Sequence, residues 1–326
     1  MPFHDVISRL LKARGDLQRA WNVRGKYRFT NRQHGAANLV MVLIGYKPKL
    51  WSSVIPRLHR ALTANSSLPR EFDVCLVTPG MLKPEVASMA AEHGWSYLHT
   101  KANRVALAQN LCVRAHPAAK LIYKLDEDIF LPPFFFEEMQ ASYAEVKREK
   151  RYRIGFCAPL LNVNGYSYIP FLERLNLVEA YRERFGELTA AAHGVKIQHD
   201  PAACRWIWEH TLPFNATARK IQEQGFRYST IPHRFSIGAI MMERPFWESI
   251  GGMRNTIAGG PRALGTDEDH LCRECVASSH VMICFEHILA GHFSFGPQDA
   301  GMQPLLPEIE QDAIESSRMQ SAGSTR

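Results

Sequence analysis

Residues 39–44 form an uninterrupted apolar run that ends at Gly45. The run is far shorter than the roughly 20 apolar residues that cross a bilayer, and it is typical of a strand buried on both faces. Similar segments alternate with segments of helical periodicity, which favours βαβ units with right-handed crossovers. Strands are predicted at 73–78, 95–99, 120–125, 153–163, 235–242 and 281–285, and helices at 49–65, 84–93, 105–115, 132–148, 171–184 and 268–278. The chain is therefore predicted to have an α/β fold, with a mostly parallel twisted sheet flanked by helices.

Three consecutive acids, Asp126, Glu127 and Asp128, follow the strand predicted at 120–125. In parallel sheets, ligands bind outside the carboxyl ends of the strands, which is where these acids lie. Residues i and i+2 of an extended segment point to the same side, so Asp126 and Asp128 are expected to project together. Two carboxylates buried there need a cation, and Mg²⁺ or Mn²⁺ commonly uses one or two carboxylates together with substrate phosphates. The position favours a site for a cation and a phosphate.

Two later features carry further candidate side chains. Residues 266–269 read Thr-Asp-Glu-Asp and open a predicted helix, where capping of backbone N–H groups needs fewer acids than are present. One of these acids is therefore available for proton chemistry. His292 follows the last predicted strand in a short loop, and it is a candidate metal ligand, with packing in an apolar loop as the alternative.

The order of these motifs resembles that of the GT-A glycosyltransferases and is most similar to the large inverting family 2. The resemblance covers residues 37–296, and the segments that carry it are Gly45-Tyr46, Leu125-Asp126-Glu127-Asp128, Ser236-Ile237-Gly238-Ala239, Glu248-Ser249-Ile250-Gly251-Gly252-Met253, Glu268-Asp269-His270-Leu271 and His292. It implies a GT-A fold and a metal-dependent transfer of a sugar, with inversion, from a nucleotide-diphosphate sugar to an acceptor hydroxyl.

The resemblance also implies roles for individual residues. Asp128 would be the main carboxylate ligand of Mn²⁺ or Mg²⁺, and His292 would be a further ligand. Asp126 would contact the metal or the ribose of the donor. Asp269 would be the general base that deprotonates the acceptor hydroxyl. The metal would neutralise the charge that develops on the departing nucleoside diphosphate.

Donor-binding residues are implied in the same way. Tyr46 would lie beside the nucleotide base, and Asn103, Arg104 and Asn110 correspond to the segment that lines the nucleotide pocket. The chain departs from the family after its second predicted strand. There the family usually carries an acidic pair that reads the uracil edge, whereas residues 78–80 read Thr-Pro-Gly. The nucleotide therefore stays open, with a UDP-sugar as the default expectation.

The acceptor is expected to be a saccharide or a lipid-linked saccharide, bound in part by Asp267 and Glu268. Trp206 is a candidate for stacking on a sugar, with core packing as the alternative. It lies in the mixed segment 165–232, an insertion that we expect to shape the acceptor site. The Q-x-x-R-W signature of processive polysaccharide synthases does not occur, so a non-processive enzyme of surface polysaccharide or glycolipid assembly is expected.

The remaining expectations concern the chain as a whole. We expect a basic N-terminal helical segment at 1–36, a catalytic domain at 37–307 and a polar, disordered tail at 308–326. The net charge of +7 favours anionic partners. With no signal peptide and no membrane-spanning run, the expected location is cytoplasmic, with peripheral contact at the inner face of a membrane through the basic segment. The seven cysteines are expected to be reduced, buried thiols.

Three other classes of protein share some of these features. A catalytically inactive nucleotide-sugar-binding or scaffolding protein with a GT-A fold is the main alternative, although such a protein typically has a damaged base or metal site. Aspartyl-nucleophile phosphatases also use D-x-D, but they place it on the first strand. A nucleic-acid-binding module fits the positive charge, but the sequence has no motif of that class and no regular alternation of basic and aromatic residues.

Overall fold

The structure is a computed structural model that describes residues 26–65, 68–254 and 265–312. The basic helix expected before residue 26 and the disordered tail expected after residue 312 therefore lie outside the described residues. No helix in the described part of the chain is long and apolar enough to cross a membrane.

Strands and helices alternate through most of the described chain. The strands are β1 (Tyr27–Thr30), β2 (Asn38–Leu43), β3 (Phe72–Thr78), β4 (Ser96–Thr100), β5 (Leu121–Asp126), β6 (Ile129–Phe130), β7 (Ile154–Leu161), β8 (Tyr228–Thr230), β9 (Ala239–Glu243) and β10 (Val281–His292). The α-helices are α1 (Pro48–Thr63), α2 (Leu68–Glu71), α3 (Pro84–Glu92), α4 (Val105–Ala115), α5 (Phe135–Glu149), α6 (Tyr168–Leu175), α7 (Val178–Phe185), α8 (Pro201–Thr211), α9 (Phe214–Gln222), α10 (Arg244–Ser249), α11 (Thr266–Ala277) and α12 (Asp299–Met302). Residues 306–312 are also helical.

The strands form one sheet in the order β1-β4-β3-β2-β5-β9-β7-β10-β6, with β8 paired to β10. Parallel pairing joins β4 to β3, β3 to β2, β2 to β5 and β7 to β10. Because β9 is antiparallel to both β5 and β7, these two strands point the same way. Six neighbouring or near-neighbouring strands of the described sheet, β2, β3, β4, β5, β7 and β10, therefore share one direction, and the predicted α/β fold is confirmed.

The core lies on both faces of this sheet. Every residue of β2 and β3 is buried, as expected for strands covered by helices on both sides. Helix α1 turns Leu50, Val54, Ile55 and Leu58 into this core, which is the face that its sequence predicts. Each such side chain contributes about 1.5–3 kcal/mol when it is fully removed from water.

Two predicted elements differ from those observed. His292 is the last residue of β10, whereas a strand ending at 285 and a loop were expected. The strand continues past an irregularity between Phe285 and Leu289 and pairs with β7 again on the far side. The single helix predicted at 171–184 is two helices, α6 and α7, because Asn176 has a left-handed backbone (φ 58°) that ends the first.

The ends of the described chain also depart from expectation. Residues 27–30, part of the segment expected to be helical, form β1, which pairs with β4 and is an edge strand of the sheet. Residues 308–312, expected to begin a disordered tail, are helical instead. Ile309 is fully buried there, and the Asp312 carboxylate lies 2.8 Å from the guanidinium of the buried Arg57. A buried guanidinium needs such a partner, which accounts for the order of this segment. The predicted reduced thiols are confirmed, since all seven cysteines are free and buried.

Candidate active site

The turn after β5 is tied to the loop after β2 by the side chain of Glu127. This carboxylate accepts hydrogen bonds from the backbone N–H groups of Gly45 (3.0 Å) and Tyr46 (2.7 Å) and from the indole N–H of Trp51 (2.6 Å). Parallel pairing of β2 with β5, which sets Leu43 opposite Asp126, brings the two strand ends together. Glu127 therefore fixes the loop after β2 against the turn after β5 at the carboxyl edge of the sheet.

The short strand β6 brings Asp128 to His292. It pairs with the end of β10, with Ile129 opposite His292, and the N–H of Phe293 donates to the backbone oxygen of Asp128 (3.0 Å). As a result, Asp128 Oδ2 lies 3.4 Å from His292 Nε2, and both side chains are buried. The structure therefore brings together two of the three residues predicted to bind metal.

The imidazole of His292 is oriented by its surroundings. Its Nδ1–H donates to the backbone oxygen of Val163 (2.6 Å), and its backbone N–H donates to Asn162 Oδ1 (2.8 Å). Nε2 therefore faces Asp128, to which it donates an N–H when the ring is protonated and presents a lone pair when the ring is neutral. Burial lowers the pKa of His292, but the nearby Asp128 carboxylate outweighs this effect and raises it. The pair is arranged to share a cation or a proton.

Lys47 supplies a cation at this position. Its ammonium donates to Asp128 Oδ2 (2.7 Å), to the backbone oxygen of Ser294 (2.8 Å) and to Asp299 Oδ1 (3.0 Å). Burial works against the charges of both partners. Even so, Lys47 and His292 hold the pKa of Asp128 well below its usual range, and Asp128 and Asp299 raise the pKa of Lys47. We call Lys47, Asp128, His292 and Asp299 the lysine cluster.

Asp126 has a different cation. Its carboxylate lies 2.7 Å from the ammonium of the buried Lys124, which also donates to the backbone oxygen of Ile237 (2.7 Å). Burial, together with the neighbouring charge of Asp128, raises the pKa of Asp126 to about 6. Within residues 26–65, 68–254 and 265–312, no three His, Cys, Asp or Glu side chains are arranged to hold a metal ion. Asp128 and His292 have suitable donor atoms for one, whereas Asp126 is engaged with Lys124.

Arg234 joins two acids at the start of α11. Its guanidinium lies 2.7 Å from Glu268 Oε2 and also forms an ion pair with Asp269. The side chain of Glu268 is 19% exposed and that of Asp269 is 51% exposed. Ser236 Oγ donates to Glu268 from 3.4 Å. We call Arg234, Glu268 and Asp269 the arginine cluster.

Burial raises the pKa of Glu268 to about 7, although Arg234 and then Lys124 act in the opposite direction. The charges of Asp267 and Asp126 add to the rise. The carboxylates of Asp126, Asp267 and Glu268 in turn outweigh burial and raise the pKa of Lys124. The end of β5 and the start of α11 therefore belong to one electrostatic cluster. Asp267, the predicted acceptor contact, accepts a hydrogen bond from Gln109 on α4 (2.8 Å).

Three of the predicted nucleotide-pocket residues lie at the open edge of the sheet. Tyr46 is largely exposed, and its hydroxyl donates to Asn103 Oδ1 (2.6 Å). Arg104 is exposed directly before α4. Gly80 has φ +88°, and a Cβ there would lie 2.6 Å from the Asn103 Cβ, so the Thr-Pro-Gly turn requires glycine for this close approach. Tyr46, Asn103 and Arg104 are therefore at the surface, and their contact with a nucleotide stays a prediction.

Two other predicted contacts lie inside the protein. The side-chain amide of Asn110 makes two hydrogen bonds to the backbone of Met253. It donates to the backbone oxygen (2.7 Å) and accepts from the backbone N–H (2.8 Å). It therefore fixes the Gly-Gly-Met turn. Trp206 is buried in α8, where its ring packs against Tyr181 and Phe185.

Sequence reasoning missed four charged residues of the site, namely Lys47, Lys124, Arg234 and Asp299. A local signal existed for Lys124, which stands two residues before Asp126 on one strand and so projects to the same side. No local pattern marks Lys47, whose partner Asp299 is 252 positions away.

No protein-family model matches the sequence. No curated protein is similar to it at a significant level. Among solved structures, one match is the mannosyltransferase PcManGT from Pyrobaculum calidifontis in complex with GDP-Man and Mn²⁺, with 12% sequence identity and a TM-score of 0.45. The match covers 90% of this chain and 77% of that chain. A likeness this distant says nothing about the donor or the acceptor of this chain.

Proposed function

We propose that this chain is a GT-A glycosyltransferase that moves a sugar from a nucleoside-diphosphate sugar to an acceptor hydroxyl. The observation that carries the proposal is the electrostatic cluster that Lys124 and Asp126, at the end of β5, form with Glu268 at the start of α11. One edge of the sheet thus offers cation-binding carboxylates beside a carboxyl group that titrates near neutral pH. These are the two elements that transfer to a hydroxyl requires.

The donor is proposed to lie along the carboxyl ends of β2 to β5. The exposed Tyr46 and Asn103, with Arg104 beside them, face the nucleoside. The diphosphate lies toward Asp128 and His292, which would hold Mn²⁺ or Mg²⁺, and the ion would supply the positive charge that neutralises the diphosphate. Asp126 contacts the ribose, since its carboxylate is held by Lys124 rather than by the lysine cluster.

The start of α11 is proposed to receive the acceptor, with Asp267 among its contacts. We assign the base to Glu268 in place of Asp269, because a base works best when its pKa lies near the operating pH. Both acids pair with Arg234, but Glu268 is mostly buried and has a pKa of about 7, whereas the side chain of Asp269 is half exposed. The base takes the proton of the acceptor hydroxyl.

The transfer itself is a single displacement at the anomeric carbon. The acceptor oxygen forms a bond to that carbon as the bond to the diphosphate oxygen breaks, and the electron pair leaves with the diphosphate. One displacement inverts the configuration. The insertion at 165–232, with helices α6 to α9, bounds the acceptor side, and one sugar is added per encounter. A saccharide or lipid-linked saccharide remains the proposed acceptor.

The purified chain tests this proposal in a panel of UDP-, GDP-, dTDP- and CMP-sugars, each with and without Mn²⁺. Donor hydrolysis and the shift in melting temperature are the two readouts. We expect one nucleotide class to stabilise the protein by binding to its native state and to be hydrolysed slowly. Stabilisation without turnover, even with a broad mixture of acceptors, would favour an inactive donor-binding protein. No response to any donor would refute the proposal.

A further inference from the structure

Three loops meet at the carboxyl ends of β2, β3 and β4. The hydroxyl of Tyr46 in the first loop donates to Asn103 in the third (2.6 Å), and Gly80 in the second approaches the side chain of the same Asn103 closely. The N–H of Gly80 also donates to the hydroxyl of Thr100 at the end of β4 (3.2 Å). The loops therefore form one continuous surface. They comprise residues 45–49, 79–85 and 101–104.

Two adjacent apolar side chains, Met81 and Leu82, are turned to water on this surface. They are 45% and 53% exposed, and they are the only adjacent pair of large apolar residues that the described part of the chain exposes to this extent. The hydroxyl of Thr78 donates to the backbone oxygen of Met81 (2.8 Å), and the N–H of Lys83 donates to the hydroxyl of Tyr97 (3.0 Å). Both sides of the pair are thus fixed by hydrogen bonds, and the exposure belongs to the fold. A neighbouring apolar pair held in this way suggests a contact surface.

Positive charge surrounds the apolar pair. The three loops contain five Lys and Arg residues and one acid, the exposed Glu85. Lys47 is held by Asp128 and Asp299. The other four cations form no ion pair with any acid that the structure describes, and they are Lys49, Lys83, Lys101 and Arg104. An excess of unpaired cations favours an anionic partner.

The N-terminal part of the chain joins the protein at the same surface. The backbone N–H of Lys101 donates to the backbone oxygen of Lys26 (2.8 Å), and Lys26 is the first residue that the structure describes. The 25 residues before it contain five Lys and Arg and two Asp. This is the basic sequence that is expected to contact a membrane. It therefore starts from the side of the protein that carries the apolar pair and the unpaired cations.

A phospholipid surface fits this combination better than other anionic partners do. Acyl chains receive exposed aliphatic side chains, while the headgroup phosphates attract the cations beside them. Nucleic acid would use the cations, but its phosphates offer Met81 and Leu82 little. A protein partner is disfavoured because the cores of protein interfaces are depleted in Lys, which supplies three of the four cations here.

We propose that Met81 and Leu82 insert into an anionic lipid surface whose headgroups bind Lys49, Lys83 and Lys101. The carboxyl edge of the sheet, with the proposed transfer site, then lies at the membrane, where a lipid-linked saccharide is presented. No residue of the lysine cluster or the arginine cluster takes part. The docking surface is therefore independent of the proposed function.

A fluorescent probe at position 82 tests the insertion. The seven native cysteines are buried, so Leu82→Cys gives the full chain one accessible thiol for labelling with nitrobenzoxadiazole. We expect its emission to shift to the blue with vesicles of equal parts phosphatidylcholine and phosphatidylserine, because the probe enters an apolar environment. The control is Val276→Cys, which carries the same label on α11 at a residue more exposed than Leu82 and should not shift. Vesicles that leave the emission at position 82 unchanged would overturn the proposal, even if residues 1–25 hold the protein on them.

Sedimentation with the same vesicles measures the affinity. The double variant Met81→Ser/Leu82→Ser should bind about tenfold more weakly, because it loses apolar area. Lys101→Gln should bind about fivefold more weakly, because it loses one headgroup contact. Val276→Ser should bind as the wild type does. Unchanged binding of the double variant would refute the docking surface.

An oligonucleotide duplex replaces the vesicles in a final comparison. If the duplex binds in a way that depends on Lys101 and the vesicles do not bind, the cations serve nucleic acid and the lipid proposal fails. The nucleotide-sugar panel, run without vesicles, tests the proposed function separately. A failure of one proposal is therefore distinguishable from a failure of the other.

Discussion

The lysine cluster and the arginine cluster have the same composition at their centre, one cation between two carboxylates, yet they differ in burial and in charge. In the first, Asp128 is 8% exposed and Lys47 holds its pKa well below the usual range. In the second, Asp269 is half exposed, and burial raises the pKa of Glu268 to about 7.

The difference shows how geometry decides the role of an ion pair. The Lys47 ammonium and the His292 ring both approach the Asp128 carboxylate, so its negative charge is fixed across the physiological range. The guanidinium of Arg234 pairs with both Glu268 and Asp269. The ammonium of Lys124, which also acts on Glu268, is paired with Asp126. The attraction left for Glu268 does not offset its burial. The first cluster is therefore suited to binding charge, and the second to moving a proton.

The largest effect is expected from Glu268→Gln, which keeps the shape of the side chain and removes its ability to accept a proton. If Glu268 is the base, kcat should fall by about 10²- to 10⁴-fold. The Kd for the nucleoside diphosphate should not change, because the lysine cluster is intact. Steady-state kinetics and titration of the nucleotide measure the two quantities.

Asp269→Asn is the control for this prediction. Its loss of kcat should be much smaller than that of Glu268→Gln. If the order is reversed, the base is Asp269, as the family resemblance implies, and the contrast in burial between the two acids has been misinterpreted.

Asp128→Asn is expected to lower the free energy of unfolding by more than Asp269→Asn does, because the two clusters differ in burial. It removes the carboxylate from a buried ion pair and leaves Lys47 with less compensation, at a cost of about 3 kcal/mol in the free energy of unfolding. Asp269→Asn removes a half-exposed partner of Arg234 and should cost less than about 1 kcal/mol. Urea denaturation of both variants gives the comparison, and equal losses would mean that the two clusters do not differ in this way.

The two clusters should also respond to pH in opposite directions. Glu268 accepts a proton only when it is ionised, so kcat/KM should fall about tenfold per unit as the pH drops below its pKa of about 7. This decrease of kcat/KM at low pH should be absent in Glu268→Gln. Its persistence in the variant would assign the titration to another group.

The pH dependence of the free energy of unfolding tests the direction of each pKa shift independently of activity. The folded protein holds the proton of Glu268 more tightly than the unfolded chain does. The contribution of this group to stability therefore decreases as the pH rises from the ordinary glutamate pKa of 4.5 to about 7. For Asp128, whose folded pKa is lowered, the contribution is present above the ordinary value of 3.8 and is lost as the pH falls below it.

The part of the fold that the sequence predicts well is the part with simple periodicity. The alternation from β2 to β5 is readable because each strand is a short apolar run and each helix has one apolar face. The far end of β10 is not readable, because its continuation past 285 includes Glu286 and His287. Both are buried, and Arg227 pairs with Glu286 while Ser142 lies 2.9 Å from His287, contacts that only the folded chain supplies.

The site divides in a similar way. The approach of Asp128 to His292 was expected from the order of motifs, and the structure brings them within 3.4 Å. The ammonium of Lys47 beside them was not expected, because Lys47 and Asp299 are far apart in sequence and come into contact only in the folded sheet. The base assignment also depends on the fold. Glu268 and Asp269 are adjacent in sequence and differ in which side of α11 they occupy, so burial separates them where composition does not.

Glu127 has a consequence for how relatives of this chain can be found. A search pattern written as D-x-D accepts any residue at its centre. Here the central side chain joins Gly45, Tyr46 and Trp51 to the turn, and its shortening to Asp would withdraw the carboxylate from three donors at once. A pattern that fixes Glu at this position together with a Trp early in the first helix would select chains that build the same sheet edge. The same pattern would discard chance occurrences of two spaced aspartates.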